Sequence, residues 1–182
     1  MTLLPPVLET GRLILRPMTL EDARDVFLYA SDPEVTRHVM WETHRSPEDS
    51  RRFLQQVVEG YARGELLWGV VLREEHRLIG SCGYDGSWVR EHRRAEIGYV
   101  LSRDCWGKGY MTEAVLEMIR YGFENMGLNR VIARCFAENR ASERVMQKAG
   151  MTFEGTQREH VFVKGAYRDL KLYSMLRREF SF

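Results

Sequence analysis

The sequence has no apolar segment long enough to cross a membrane as a helix. Such a span requires about 18 consecutive apolar residues, and no stretch of this chain of 182 residues reaches that length. Residues Met1 to Pro6 contain neither a basic leader nor a long apolar stretch, so we expect no signal peptide and a cytoplasmic location. Low-complexity tracts and internal repeats are also missing, which fits a folded globular protein.

Cysteine is scarce, and its spacing argues against a disulfide framework. Cys82, Cys105 and Cys135 are three in number, lie far apart and lack C-x-x-C spacing, a pattern that fits a reducing compartment. The five histidines show no ligand spacing such as His-x-x-x-His, so the sequence predicts no metal site. We interpret Cys105, which precedes a glycine turn, as a small buried apolar residue rather than as a reactive nucleophile.

An excess of charge of one sign is missing as well. The chain carries 27 basic and 26 acidic residues, a formal net charge of +1, so no global field draws it to a nucleic-acid backbone. One local basic cluster is present, formed by Arg90, His92, Arg93 and Arg94. We interpret it as a solvated turn between strands, with a phosphate or partner contact as the alternative.

The composition is that of one ordinary domain. Apolar residues make up 44% of the chain and charged residues 29%, and a chain of this length buries roughly two-thirds of the surface that its unfolded form exposes. We therefore predict a single domain over residues 1–182.

Hydrophobic periodicity predicts a mixed α/β domain, class α+β, whose mostly antiparallel sheet has about seven strands and is flanked by four or five helices. A helix that follows one β-strand and precedes another supplies the one long crossover. We expect strands at 12–16, 66–72, 78–84, 95–101, 131–136, 152–162 and 168–177, and helices at about 20–31, 34–41, 47–63, 109–126 and 139–149.

A glycine turn between a predicted strand and the long helix is the most informative motif. In Gly107-Lys108-Gly109 the glycines let the backbone approach a ligand, and the first N–H groups of the helix carry the positive end of its dipole. That geometry binds a pyrophosphate. Lys108 can add a point charge and Thr112 a hydroxyl, although a plain tight turn is the alternative. The motif is neither a Walker loop nor a dinucleotide fingerprint.

Together with three other segments, this turn resembles the GNAT superfamily of N-acetyltransferases. The segments are Leu8 to Leu13, Ala95 to Tyr99 and Asn139 to Ser142, and the similarity extends over nearly the whole chain to Leu172-Tyr173-Ser174. It is closest to the ribosomal-protein N-terminal acetyltransferases, the RimJ/RimL-like branch.

The resemblance implies the GNAT fold, acetyl-CoA as co-substrate and a primary amine as acceptor. The α-amine of a ribosomal protein is one candidate acceptor, and a small amine or antibiotic is another. A CoA-binding sensor without turnover is a further alternative. We expect no metal, no direct nucleic-acid partner and no membrane, and exposed late strands leave a homodimer open.

The resemblance also implies a set of coenzyme contacts. The pyrophosphate motif of the family departs at Trp106 and Met111, but binding should survive because the motif works through backbone N–H groups. The expected coenzyme-binding residues are Tyr99, Val100, Leu101, Gly107, Lys108, Gly109, Tyr110, Met111, Thr112, Asn139 and Ser142.

Three residues are candidates for the chemistry. Glu96 lies where several relatives place a glutamate base, and an ion pair with Arg93 or Arg94 is its structural alternative. Ser142 can donate to the thiolate or to the pantetheine arm, while Asn139 can cap a helix instead of contacting the coenzyme.

The third candidate, Tyr173, follows from a departure from the family. Many members carry a tyrosine acid where this chain has Met146. The proton must therefore come from Ser142, from water, or from a tyrosine such as Tyr173 or Tyr167.

Two groups are candidates for the acceptor site. Trp41 with His38 and His44 can line an acceptor pocket or pack in the core. Glu159 and His160 lie on a late strand, where an exposed pair is the alternative.

Overall fold

The computed structural model describes residues 4–84 and 90–181. This part of the chain forms one eight-stranded sheet in the order β1-β2-β3-β4-β5-β6-β8-β7. Strands β5 and β6 are parallel, and all other neighbours are antiparallel. The strands are β1 Leu8–Glu9, β2 Leu13–Arg16, β3 Leu66–Leu72, β4 Arg77–Tyr84, β5 Arg94–Leu101, β6 Arg130–Phe136, β7 Thr152–Val163 and β8 Ala166–Leu176.

Five α-helices flank the sheet in the described part of the chain, so the predicted mixed, mostly antiparallel α/β fold is confirmed. An eighth strand, β1, escaped prediction because its two residues are too few to show a period. Helix α2 ends five residues before its predicted end at 41. The helices are α1 Ala23–Ala30, α2 Pro33–Thr36, α3 Pro47–Ala62, α4 Tyr110–Glu124 and α5 Arg140–Lys148.

The helices form two layers, one on each face of the sheet. On one face, α4 packs Val115 and Met118 against Ile97 and Val131 of the central strands. A separate core on the other face holds Val26 of α1, Leu54 of α3 and the partly buried Val100. Alternate residues of β5 thus enter different cores, as the period of a strand requires.

Strands β5 and β6 separate partway along their length. Their pairing runs from Arg94 with Arg130 to Ile97 with Ala133. Beyond that point residues 98–101 of β5 continue to pair with β4, while β6 pairs with β8 as far as Phe136. One edge of β5 is therefore open, and the candidate site lies beside it.

Candidate active site

A cleft of about 1240 Å³ lies where β5 and β6 separate. It brings together all the predicted coenzyme residues except Lys108. The residues in question are Tyr99, Val100, Leu101, Gly107, Gly109, Tyr110, Met111, Thr112, Asn139 and Ser142.

The glycine turn needs glycine for its backbone conformation. Gly107 and Gly109 have φ values of 75° and 81°, a left-handed region that strains other residues. Gly109 is the N-cap of α4 and supplies no side-chain hydrogen bond. The N–H groups of Tyr110 to Thr112 precede the first possible intrahelical bond, and these residues line the cleft. The positive end of the helix dipole is thus available to an anion.

Arg12 supports this turn from outside the cleft, which the sequence did not reveal. Its Nε donates to Glu113 Oε2 at 2.7 Å and its Nη1 donates to the Lys108 carbonyl at 3.0 Å. The guanidinium also lies 4.6 Å from the centre of the Tyr110 ring. Since Arg12 and Glu113 are 101 residues apart, no local pattern could have predicted the pair.

Trp106, a departure from the family motif, has a structural partner. Its indole Nε1 donates to the Leu101 carbonyl at 2.8 Å, so the side chain fixes the end of β5 against the glycine turn. Met111, the other departure, is buried in the core beneath α4. Both residues also line the cleft, and backbone donors of the turn do not depend on either side chain.

Asn139 caps helix α5, as one of its two predicted roles required. Its Oδ1 accepts from the Ser142 N–H at 3.1 Å. The Ser142 hydroxyl lies 2.9 Å from the Tyr99 hydroxyl. Burial raises the pKa of the Tyr99 phenol, which the hydrogen bond to Ser142 partly opposes. Tyr99 therefore stays a protonated donor at neutral pH.

Glu96 forms a two-point ion pair with Arg134 of the neighbouring strand. The Arg134 Nε and Nη2 donate to the two carboxylate oxygens at 2.8 and 2.7 Å. The structural alternative for Glu96, an ion pair, is therefore present, but its partner is Arg134 rather than Arg93 or Arg94, which are both exposed. Arg134 lines the cleft whereas Glu96 is not among its lining residues. The role of Glu96 as a base stays a prediction.

Tyr173 is buried on the α4 and α5 side of the sheet. Its hydroxyl donates to Glu143 Oε1 at 2.9 Å and accepts from Gln147 Nε2 at 3.3 Å. Burial raises its pKa, and it is not one of the residues that line the cleft. The alternative, Tyr167, is 63% exposed and packs its ring against Phe162. A role for Tyr173 as acid stays a prediction that this placement does not favour.

An aromatic group forms another part of the cleft wall, called the aromatic wall below. The ring centroid of His44 is 5.4 Å from that of Trp41 and 6.1 Å from that of Phe53, and all three line the cleft. Trp41 also packs against the α1 and α3 core, as its structural alternative required, and its role in an acceptor pocket stays a prediction. Burial lowers the pKa of His44 and of the nearby cleft residue His38. Both imidazoles are therefore neutral at neutral pH.

The late-strand residues have separate partners. His160 Nε2 lies 3.0 Å from Arg134 Nη1, which connects it to the Glu96 ion pair. The Glu159 N–H donates to Asp169 Oδ1 at 2.7 Å. Cys105 is 1% exposed, and burial raises its pKa, as expected of a small apolar residue.

Residues 4–84 and 90–181 contain neither a candidate membrane-spanning helix nor a candidate metal-binding cluster. None of their helices has the length and apolar character needed to cross a membrane. No group of three His, Cys, Asp or Glu side chains in those ranges is placed to hold a metal ion.

The fold and the cleft define the class of protein. A helix amino terminus that can hold a phosphate meets the open edge of a strand, whose free backbone groups can pair with an extended amide-bearing ligand. A coenzyme composed of a pyrophosphate and an amide arm fits both features.

Comparison with known proteins agrees with this class. A family model described as "Acetyltransferase (GNAT) domain" matches residues 12–152. The uncharacterized N-acetyltransferase YoaA of Bacillus subtilis is 37% identical over 174 residues, covering 94% of this chain and 97% of that protein. A GNAT acetyltransferase of known structure from Bacillus anthracis superposes with a TM-score of 0.86 at 30% identity, covering 96% of this chain and all of that one.

A more distant relative carries a named activity. The ribosomal-protein-serine acetyltransferase of Escherichia coli is 28% identical over 132 residues, which cover 72% of this chain and 73% of that protein. The chain belongs to the GNAT family of acetyltransferases. It is therefore an enzyme of a family that uses acetyl-CoA.

Proposed function

We propose that this enzyme transfers the acetyl group of acetyl-CoA to a primary amine, which attacks the thioester carbonyl directly while both substrates are bound. The observation that carries the proposal is the single cleft in which the α4 amino terminus, the open edge of β5 and the aromatic wall meet. Acetyl-CoA supplies the activated acetyl thioester, and the residues of the chain bind and orient the two substrates.

The coenzyme side of the cleft is assigned from backbone donors. The N–H groups at Tyr110 to Thr112 bind the pyrophosphate, and residues 99–101 of β5 pair with the amides of the pantetheine arm. The exposed Lys108 adds a point charge for a phosphate. Asn139 holds the first turn of α5, which sets Ser142 beside the arm.

The acceptor is the α-amine of a protein amino terminus, with a ribosomal protein as the leading case. The name of the Escherichia coli relative supports this choice, as does the sequence resemblance to the RimJ/RimL-like branch. An α-amine has a reference pKa near ~8, so a base needs to remove only one proton, directly or through water. Glu96 is that base in our proposal, and the proton for the thiolate comes from solvent, since Tyr173 lies outside the cleft lining.

A binding and turnover assay tests the proposal. Calorimetry should detect association with acetyl-CoA and with free CoA, and free thiol should be released only when an amine is present. Peptides with different first residues, small amines and aminoglycosides form the acceptor panel. A preference for small amines would overturn the protein acceptor, while absence of heat with both coenzyme forms would overturn coenzyme binding itself.

Three further predictions accompany the assignment. We propose that residues 1–182 form one domain, that the enzyme acts in the cytoplasm, and that the late strands support a homodimer. The exposed rings of Phe162 and Tyr167 on the β7–β8 hairpin are consistent with such a contact. Light scattering over a range of protein concentrations would test the dimer.

A further inference from the structure

The hydroxyl groups of Tyr99 and Ser142 connect two sides of the cleft. Tyr99 lies on β5 and Ser142 in the first turn of α5, 43 residues further along the chain. The phenol oxygen is 2.9 Å from Ser142 Oγ and 3.2 Å from the Ser142 carbonyl oxygen. Both residues line the cleft, so the hydrogen positions of this pair decide what Ser142 offers to a bound ligand.

The pair has two possible hydrogen-bond arrangements. In the first, the Tyr99 O–H donates to Ser142 Oγ, and the Ser142 hydrogen is free to point into the cleft. In the second, Tyr99 donates to the Ser142 carbonyl, and the Ser142 hydrogen turns back to the phenol oxygen. An anion in the cleft favours the first arrangement, because each donor in a chain of hydrogen bonds polarises the next.

The surroundings keep these groups protonated. Burial raises the pKa of Tyr99 and raises that of the neighbouring Cys135 thiol to about 11. A phenol of this kind donates a hydrogen bond to Ser142 without giving up its proton. Met146, where the family resemblance would place a tyrosine, is fully buried and apolar, so Tyr99 brings a phenol to this part of the cleft from β5 instead.

We propose that Tyr99 is a positioning residue for acetyl transfer, which aims the Ser142 O–H at the sulfur atom of the departing CoA thiolate. This inference rests on the proposed function. As the amine nitrogen bonds to the acetyl carbon, the carbon–sulfur bond breaks and its electron pair moves to sulfur. The amine proton leaves to a base or to water. Ser142 donates to the sulfur while Tyr99 donates to Ser142, and neither hydroxyl is ionised.

The ionisation of enzyme-bound CoA tests this directly and needs no acceptor. Ultraviolet absorbance of the thiolate, corrected for coenzyme-free protein, gives the thiol pKa of bound CoA. We expect the Tyr99→Phe variant to raise the pKa of the bound thiol by about one unit, a tenfold change in ionisation.

A double-mutant cycle tests whether Tyr99 acts through Ser142. With an accepted amine, Tyr99→Phe should lower kcat about tenfold, equivalent to the loss of one hydrogen bond in the transition state. Ser142→Ala should lower kcat by at least as much. In the Ser142→Ala background, Tyr99→Phe should change kcat less than about twofold, because its partner hydroxyl is already gone.

Tyr61→Phe is the matched control. The Tyr61 hydroxyl is also buried and makes two backbone hydrogen bonds, accepting from the Met18 N–H at 2.8 Å and donating to the Leu67 carbonyl at 3.0 Å. Tyr61 does not belong to the cleft lining. This variant should lower the melting temperature while leaving kcat and the pKa of bound CoA unchanged.

The outcomes distinguish a failure of the proposed function from a failure of the role of Tyr99. If CoA does not bind to the wild-type enzyme, the proposed function fails. If CoA binds and its thiol pKa is the same in wild type and Tyr99→Phe, the role of Tyr99 fails while the function stands. Equal effects of Tyr99→Phe with and without Ser142, or a matching loss of kcat in Tyr61→Phe, would also overturn the positioning role.

Discussion

Side chains at the cleft and next to it are held by partners from distant parts of the chain. Glu96 gives both carboxylate oxygens to Arg134, and Arg134 also contacts His160. A carboxylate in this arrangement can take a proton from the acceptor or can orient the arginine toward it. Kinetics of one conservative substitution distinguishes these two roles.

Glu96→Gln should lower kcat/KM about a hundredfold if Glu96 is the base, within the usual range for general base catalysis. The loss should be larger at lower pH, because the protonated amine then has no group that takes its proton. A pH profile of thiol release measures this.

Glu154→Gln is the control, because Glu154 pairs with Arg130 on the same sheet outside the cleft lining. It should keep the wild-type profile. An unchanged profile in Glu96→Gln itself would leave Glu96 as the structural partner of Arg134.

At the scale of elements, the turn before α4 is the part on which coenzyme binding depends. Two glycines in the left-handed conformation form the turn between β5 and α4. The ion pair between Arg12 and Glu113 holds this turn next to the start of β2. The first N–H groups of α4 are thus fixed before any ligand arrives, which reduces the entropy lost on binding.

Gly109→Ala should weaken acetyl-CoA binding about tenfold. Alanine at a φ of 81° is strained by about 1–2 kcal/mol, and relief of the strain rotates the first N–H groups of α4. The added Cβ would lie 3.5 Å from Arg12 Nη2, an ordinary contact, so the effect comes from the backbone.

Gly64→Ala carries the same strain, at a φ of 80° with open space around it, in the turn that follows α3. Calorimetry should find wild-type affinity in this variant, although both variants lose thermal stability. Equal affinities of Gly109→Ala and wild type would count against pyrophosphate binding at α4.

The amino terminus of α3 adds a pH-dependent contribution to stability. Asp49 accepts hydrogen bonds from the N–H groups of Arg45 and Ser46 at 2.8 and 3.0 Å and pairs with Arg52. These contacts lower its pKa to about 2 from a reference of 3.8.

Because the pKa of Asp49 is lower in the folded state, its stabilising contribution is complete above the reference value. It is lost as the pH falls from about 4 toward 2. Urea unfolding should therefore show Asp49→Asn less stable than wild type at neutral pH, and the difference should shrink near pH 2. A difference in unfolding free energy that stays constant over this pH range would contradict a stabilising role of the ionised Asp49 carboxylate.

At the scale of the whole molecule, one sheet lies between the α4 core and the α1 and α3 core and contributes side chains to both. Side chains of β5 enter both, with Ile97 in the α4 core and Val100 against the α1 and α3 core. Neither helix layer can unfold without exposing the apolar side chains on one face of the shared strands. We therefore expect a single cooperative unfolding transition.

Leu54→Ala and Met118→Ala test this expectation. Each residue is fully buried, one in each core, and truncation should cost about 2–5 kcal/mol. Each variant should shift the whole denaturation curve, with near- and far-ultraviolet circular dichroism still coincident. Two separate transitions in either variant would contradict the single domain.

The sequence by itself determined the elements that depend on neighbouring residues. The apolar stripe of α4, with Ala114, Met118 and Ile119, is buried as its period of three and four required. Glycine at positions 107 and 109 allows the positive φ values found there. These features are local because a helix or a turn is defined by residues a few positions apart.

Only the tertiary structure decided which side chains meet. Arg12 and Glu113 are 101 residues apart, Tyr99 and Ser142 are 43 apart, and Glu96 and Arg134 are 38 apart. Each contact depends on strand register and on the packing of a helix against the sheet, and a shift of one residue would turn these side chains to the other face. Periodicity carries no information on such pairings. The sequence therefore suggested the wrong arginine as the partner of Glu96, and it did not reveal that Arg12 holds the glycine turn.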